Sequence, residues 1–129
     1  MNNFKFSQKS LEKLASVDIR LQTLAKKVLE ITPICFQITE GIRTKERQEQ
    51  LVKEGKSKTL NSRHLQGLAI DIMSCKEGYS QAKDIFILVG LFIAVAKQLN
   101  IKIKVGALWD KTSTKDNNFI DAYHIQVED

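Results

Sequence analysis

Several residue types are scarce in this chain, and each shortage closes off a class of protein. Its 129 residues include one proline, six glycines and two cysteines, Cys35 and Cys75. Those counts exclude a collagen-like chain, a Pro/Gly-rich disordered chain and a small scaffold stapled by several disulfides. Histidine is as scarce: His64 and His124 are the only two, so any metal site or imidazole chemistry must use one or both. Long apolar runs are also missing. The longest, Ile85 to Ala96, is interrupted by Gly90. It falls well short of the about 20 residues that cross a bilayer, and it reads as a buried helix. The opening Met1-Asn2-Asn3-Phe4-Lys5-Phe6 has neither an apolar stretch nor a small-residue cleavage site, so no signal peptide is expected.

What remains is ordinary for a globular fold: 43% hydrophobic and 27% charged residues. The length suits one domain, residues 1–129, large enough to bury a core without help from a metal or disulfide. Twenty Lys and Arg against 15 Asp and Glu give a net charge of +5, which favours a polyanionic partner: nucleic acid, anionic lipid or cell envelope. No basic stripe interleaved with aromatics and no helix-turn-helix pattern is present, so nucleic acid is not expected.

Capping residues and periodicity give the elements. Ser7 can cap a helix to about Ala15, and Asp18 a second to about Glu30, with Val17, Leu21, Leu24, Ala25 and Val28 on one apolar face. Pro33 stops the second helix. Cys35 to Ile38 reads as a strand with Phe36 and Ile38 on one side. Thr44 can cap a helix to about Glu54, closed by Gly55. Lys56 to Gln66 reads as loop, and Leu68 to Met73 as a strand. Ser80 can cap a long helix to about Leu99, stopped by Asn100. Ile101 to Val105 alternates as a strand, Gly106 to Asn118 reads as loop, and Tyr123 to Val127 as a last strand. The order α-α-β-α-β-α-β-β predicts an α+β domain, a small and mainly antiparallel sheet with flanking helices.

Chemistry concentrates in two stretches. In Ser62-Arg63-His64-Leu65-Gln66-Gly67-Leu68-Ala69-Ile70-Asp71, His64 ends a loop and Asp71 lies on an apolar strand, where a buried carboxylate needs a positive partner or a metal. In Asp121-Ala122-Tyr123-His124, the second histidine also enters a strand. His64, Asp71 and His124 supply two nitrogens and one oxygen, a set that suits catalytic zinc with one position left open. Asp121 is then a candidate to move a proton between water and a leaving amine. The residues alone leave other readings open: structural histidines, Asp71 as a turn or cap residue, and Asp121 as a strand-edge carboxylate.

Ser62-x-His64-x-x-Gly67-x-Ala69-x-Asp71 and Asp121-x-x-His124 resemble the two motifs of the zinc D-Ala-D-Ala carboxypeptidase and dipeptidase family. The chain is most similar to the L-alanyl-D-glutamate endopeptidases that act as phage endolysins, where the acidic residue of the second motif is Asp. Phe4-Lys5-Phe6 with Ser10-Leu11-Glu12-Lys13-Leu14, Gly41-Ile42-Arg43-Thr44 and Gly106-Ala107-Leu108-Trp109-Asp110 extend the likeness over the whole chain. The resemblance implies the hedgehog/D-Ala-D-Ala peptidase fold and hydrolysis of the L-Ala–D-Glu bond of peptidoglycan stem peptides. It implies one Zn²⁺ on His64, Asp71 and His124, with Asp121 as general base and acid. Arg43 would bind substrate and stabilise developing negative charge, or form a surface salt bridge. Ser62 would orient its loop, contact substrate or serve as a simple turn residue; Trp109 would line the cleft or pack in the core.

Gln126 stands where related chains often carry Glu. Cys35 and Cys75 are expected as reduced thiols, Cys75 being a remote candidate for an extra ligand. A monomer is expected, with no stable membrane insertion. So is synthesis in the host cytoplasm and action on the wall, in the periplasm, after release. The rival readings are a D-Ala-D-Ala carboxypeptidase or dipeptidase, and a non-catalytic zinc-containing wall-binding module.

Overall fold

Three side-chain oxygens fix where the first helices start in the computed structural model, which describes residues 2–55, 62–75, 80–106 and 123–128. Ser7 Oγ accepts the Ser10 N–H at 3.1 Å and opens α1 (Gln8–Ala15). Asp18 Oδ1 accepts the Arg20 N–H at 2.8 Å and opens α2 (Ile19–Ile31). Thr44 Oγ1 accepts the Arg47 N–H at 3.1 Å and opens α3 (Lys45–Lys53). Each bond satisfies a backbone donor that has no carbonyl partner within its own helix. The long α4 (Ser80–Gln98) ends before Asn100, whose φ of 58° turns the chain out of the helix.

Strands β1 (Phe36–Glu40), β2 (Ala69–Ser74), β3 (Ile103–Val105) and β4 (His124–Val127) form one sheet in the order β1-β2-β4-β3. Every neighbouring pair is antiparallel, as the order of elements predicts for an α+β fold. Alternation sends Phe36, Ile38, Ile70, Ile72, Ile125 and Val127 into the core against α2 and α4. Phe36 is gripped edge-on by Phe6 and Phe92, with ring centroids 5.4 and 5.5 Å away. Full burial of each such side chain stabilises the fold by roughly 1.5–3 kcal/mol, so this face fixes the register of the sheet.

The register then places the chemistry. Asp71 lies directly opposite His124 on β4. A bulge between Ile38 and Glu40 brings Glu40 opposite Asp71 on the other side. Glu40, Asp71 and His124 therefore form a row across three strands, on the face turned away from the core.

Three expectations need correction. The stretch ending at Gln66 is not all loop: Arg63–Gln66 forms a 3₁₀ turn, because Ser62 Oγ accepts the His64 N–H at 3.2 Å and Gly67 closes the turn with φ of 69°. The apolar run in α4 is buried on one side only; Phe86, Ile87 and Ile93 are exposed. Cys35 and Cys75 are not free thiols but form a disulfide. The β1–β2 pairing explains this, since Phe36 opposite Ser74 puts Cys35 and Cys75 next to each other just beyond the strand ends. The bond also removes Cys75 as a metal ligand. It closes a loop of 40 residues, so reduction should lower stability by about 2–4 kcal/mol. Thermal unfolding with and without reductant measures this, and an unchanged midpoint would contradict it.

Candidate metal centre

His64, Asp71 and His124 converge, with one ligand atom from each lying within 4.8 Å of the others. His64 Nε2 is 3.1 Å from Asp71 Oδ1, and His124 Nδ1 is 3.4 Å from the same oxygen. The two rings meet edge to face, with centroids 4.9 Å apart. His64 is 1% exposed and His124 8%.

The outer nitrogens determine what the inner ones can do. His64 Nδ1 lies 2.9 Å from the carbonyl oxygen of Gly41, which can only accept, so this nitrogen carries a proton. His124 Nε2 lies 2.9 Å from Gln126 Oε1. The Gln126 amide is oriented by its own NH₂, which donates to Glu128 Oε1 at 3.4 Å, so Oε1 accepts from His124 Nε2–H. In the neutral rings, His64 Nε2 and His124 Nδ1 thus present lone pairs toward an ionised carboxylate. Three acceptors this close repel one another unless a proton or a metal ion lies among them. These residues fit a metal ion, and they could hold one.

The electrostatics of Asp71 agree. Burial pushes its carboxyl up, but whenever the rings are protonated, hydrogen bonds from His124 and His64 and then their charges outweigh that and hold it well below the usual carboxylate range. Asp71 is an anion at neutral pH and available as a ligand.

Arg43 secures the other carboxylate oxygen. Its Nη2 is 3.4 Å from Asp71 Oδ2, while Nε donates to Glu40 Oε1 at 2.9 Å and Nη1 to Gln48 Oε1 at 2.8 Å. The side chain is only 8% exposed. A guanidinium has five N–H donors, so these contacts leave N–H groups on Nη1 and Nη2 for another oxygen. The Arg43 N–H also donates to the His64 carbonyl at 2.9 Å, tying the arginine to the histidine's turn.

Of the residues singled out in the sequence, His64, Asp71, His124 and Arg43 are brought together, and Ser62 caps the turn that carries His64. Trp109 and Asp121 lie outside the described residues. Four supporting groups were not foreseen. Gly41 receives the His64 proton, and its backbone is packed so closely that a Cβ there would collide with the Lys13 carbonyl and Ser16 Oγ. Gln48 is buried alongside Leu51 in a mostly polar helix, a signal that apolar periodicity does not register. Glu40 reaches the site only through the bulge. Glu128 orients Gln126 and pairs with Arg63 at 2.9 Å, linking the His124 strand to the His64 turn.

Gln126 therefore does the supporting task with a neutral amide. Gln126→Leu should lower affinity for a divalent metal by about 10–100-fold while leaving all three ligands in place. Competition with a chromogenic chelator reads this directly, and wild-type affinity in the variant would refute the role.

Known proteins carry the same arrangement of chain. A family profile described as phage L-alanyl-D-glutamate peptidase matches residues 2–127. The L-alanyl-D-glutamate peptidase of Escherichia phage T5 is 32% identical over 114 residues, covering 84% of this chain and 83% of that protein. The crystal structure of the Serratia marcescens L-Ala D-Glu endopeptidase ChiX superposes with a TM-score of 0.80 at 25% identity, covering 98% of this chain and 92% of that one.

Proposed function

This chain belongs to the phage L-alanyl-D-glutamate peptidase family, and on that premise we propose that it is a zinc endopeptidase cutting the L-Ala–D-Glu bond of peptidoglycan stem peptides. The observation that carries the reading is the convergence of the His64, Asp71 and His124 ligand atoms, with both rings locked by Gly41 and Gln126 into the tautomers a metal requires. Two nitrogens and one carboxylate oxygen suit zinc with a position left for water and substrate. A zinc ion there supplies a Lewis acid and a water whose pKa falls toward about 7.

The protein's own groups do the rest. Arg43 holds Asp71 by Oδ2, leaving Oδ1 to the metal side, and its free N–H donors stabilise negative charge growing on the L-Ala carbonyl oxygen. Asp121, three residues before His124, takes the proton of the attacking water and delivers it to the departing D-Glu nitrogen. Ser62 fixes the turn that aims His64, and Trp109 is assigned to substrate binding. Residues 1–129 act as one catalytic domain, as a monomer, on the wall. The Cys35–Cys75 disulfide suits work outside a reducing cytoplasm.

Purified peptidoglycan provides the test. The zinc-loaded protein should release new amino groups, a chelator should stop the release, and added zinc should restore it. Full release by chelator-stripped, metal-free protein would overturn the reading.

A further inference from the structure

Helix α4 is apolar on two sides, and the fold uses one. Ile85, Leu88 and Phe92 are wholly buried in the core. On the opposite side Phe86, Ile87 and Ile93 are 55%, 48% and 39% exposed. They lie at helical spacing around Gly90, in a stripe that starts at Lys83 and ends at Lys97, both exposed. A Cβ added at Gly90 would meet nothing within 4 Å, so internal packing does not demand a glycine there. Glycine weakens a helix interior, and its place here leaves a flat centre between the apolar side chains. A continuous apolar patch of this kind marks a contact surface.

The charges identify the occupant. From Lys83 to Gln98 the only acidic residue is Asp84, which is buried and accepts from Ser74 Oγ at 2.8 Å. The stripe is thus framed by positive charge with no carboxylate along it. Lys83 and Lys97 are each seven residues from Gly90. A second copy packed antiparallel about Gly90 would set Lys83 against the other copy's Lys97 at both ends. A parallel copy would set each lysine against itself. Both pairings are repulsive, whereas a layer of anionic headgroups reverses the sign everywhere. Lysines can extend their stems and reach such headgroups while the apolar side chains sit below them. The stripe is about 21 Å long, at 1.5 Å per residue, and suits a helix lying flat. No described helix is long and apolar enough to cross a membrane.

We propose that the outer face of α4 docks peripherally on an anionic phospholipid leaflet, with Phe86, Ile87 and Ile93 inserted and Lys83 and Lys97 on the phosphates. The inference rests on α4 and not on the metal centre, so it and the peptidase reading fail separately.

The test is cosedimentation of the full chain with vesicles of phosphatidylglycerol and phosphatidylcholine, against vesicles of phosphatidylcholine alone. The protein should pellet with the anionic vesicles and stay largely in solution with the neutral ones. A Phe86→Ser/Ile93→Ser double variant should lose about tenfold or more in vesicle affinity. Lys83→Gln/Lys97→Gln should lose about tenfold, with reduced salt sensitivity. Both should keep the wild-type circular dichroism and wall hydrolysis, because these side chains face solvent. Failure of the wild type to pellet with anionic vesicles would overturn the proposal, as would undiminished binding by the variants. So would a concentration-dependent dimer in sedimentation velocity that Phe86→Ser abolishes, since the face would then belong to a second copy.

Discussion

His64→Ala should leave a protein that cannot hold stoichiometric zinc and no longer releases amino groups from peptidoglycan. Removing an outer partner of a metal-bound histidine costs about 10–100-fold in affinity, and removing the ligand itself must cost more. Gln126 cannot substitute, because its carbonyl oxygen is directed at His124 Nε2 and its NH₂ at Glu128. The chain's one other histidine, His124, already belongs to the same site. Since His64 is 1% exposed, its deletion also leaves a void, so the fold must be checked by thermal unfolding. Asp71→Asn supplies the control: it keeps the volume and one oxygen but removes the anionic charge, and it too should lose tight zinc binding. Metal analysis giving one full equivalent of tightly held zinc in either variant would refute the ligand set.

Asp121→Ala should separate metal binding from catalysis. Zinc content should be unchanged, while hydrolysis falls by about 10²–10⁴-fold, the usual contribution of a positioned acid–base group. Asp71 is committed to the metal side and to Arg43, and Glu40 to Arg43 and Arg47, so neither carboxylate is available to shuttle a proton. Asp121 is the acidic residue placed by the chain just ahead of His124. Inductively coupled plasma metal analysis together with the amino-group assay reads both halves. A zinc-loaded variant with wild-type activity would remove Asp121 from the mechanism; a variant without zinc would make it a binding residue instead.

The His64–Asp71 half of the candidate site was legible because the information is local. Ser62, His64, Gly67 and Asp71 fall within ten residues, and a cap, a left-handed glycine and a strand suffice to place them. The helix starts were legible for the same reason, since Ser7, Asp18 and Thr44 bond to backbone two or three residues on. What stayed hidden depends on pairing between distant segments. The disulfide needs the β1–β2 register, Glu40 needs the bulge in it, and the Arg63–Glu128 ion pair joins residues 65 apart in sequence. Gln48 was missed because a buried polar residue on a polar helix leaves no hydrophobic signature. The apolar run in α4 was misread for the converse reason: apolar character around a helix predicts burial, and composition does not reveal that one face stays open.

A metal ion held by His64, Asp71 and His124 should cut one bond of the stem peptide. Mass spectrometry of defined muropeptides, digested by the zinc-loaded protein with and without chelator, tests it most directly. Digestion should give glycan fragments ending in L-Ala with a free carboxyl, together with peptides beginning at D-Glu, both absent when chelator is present. Intact L-Ala–D-Glu bonds with loss of terminal D-Ala instead, or the same cleavage by metal-free protein, would contradict it.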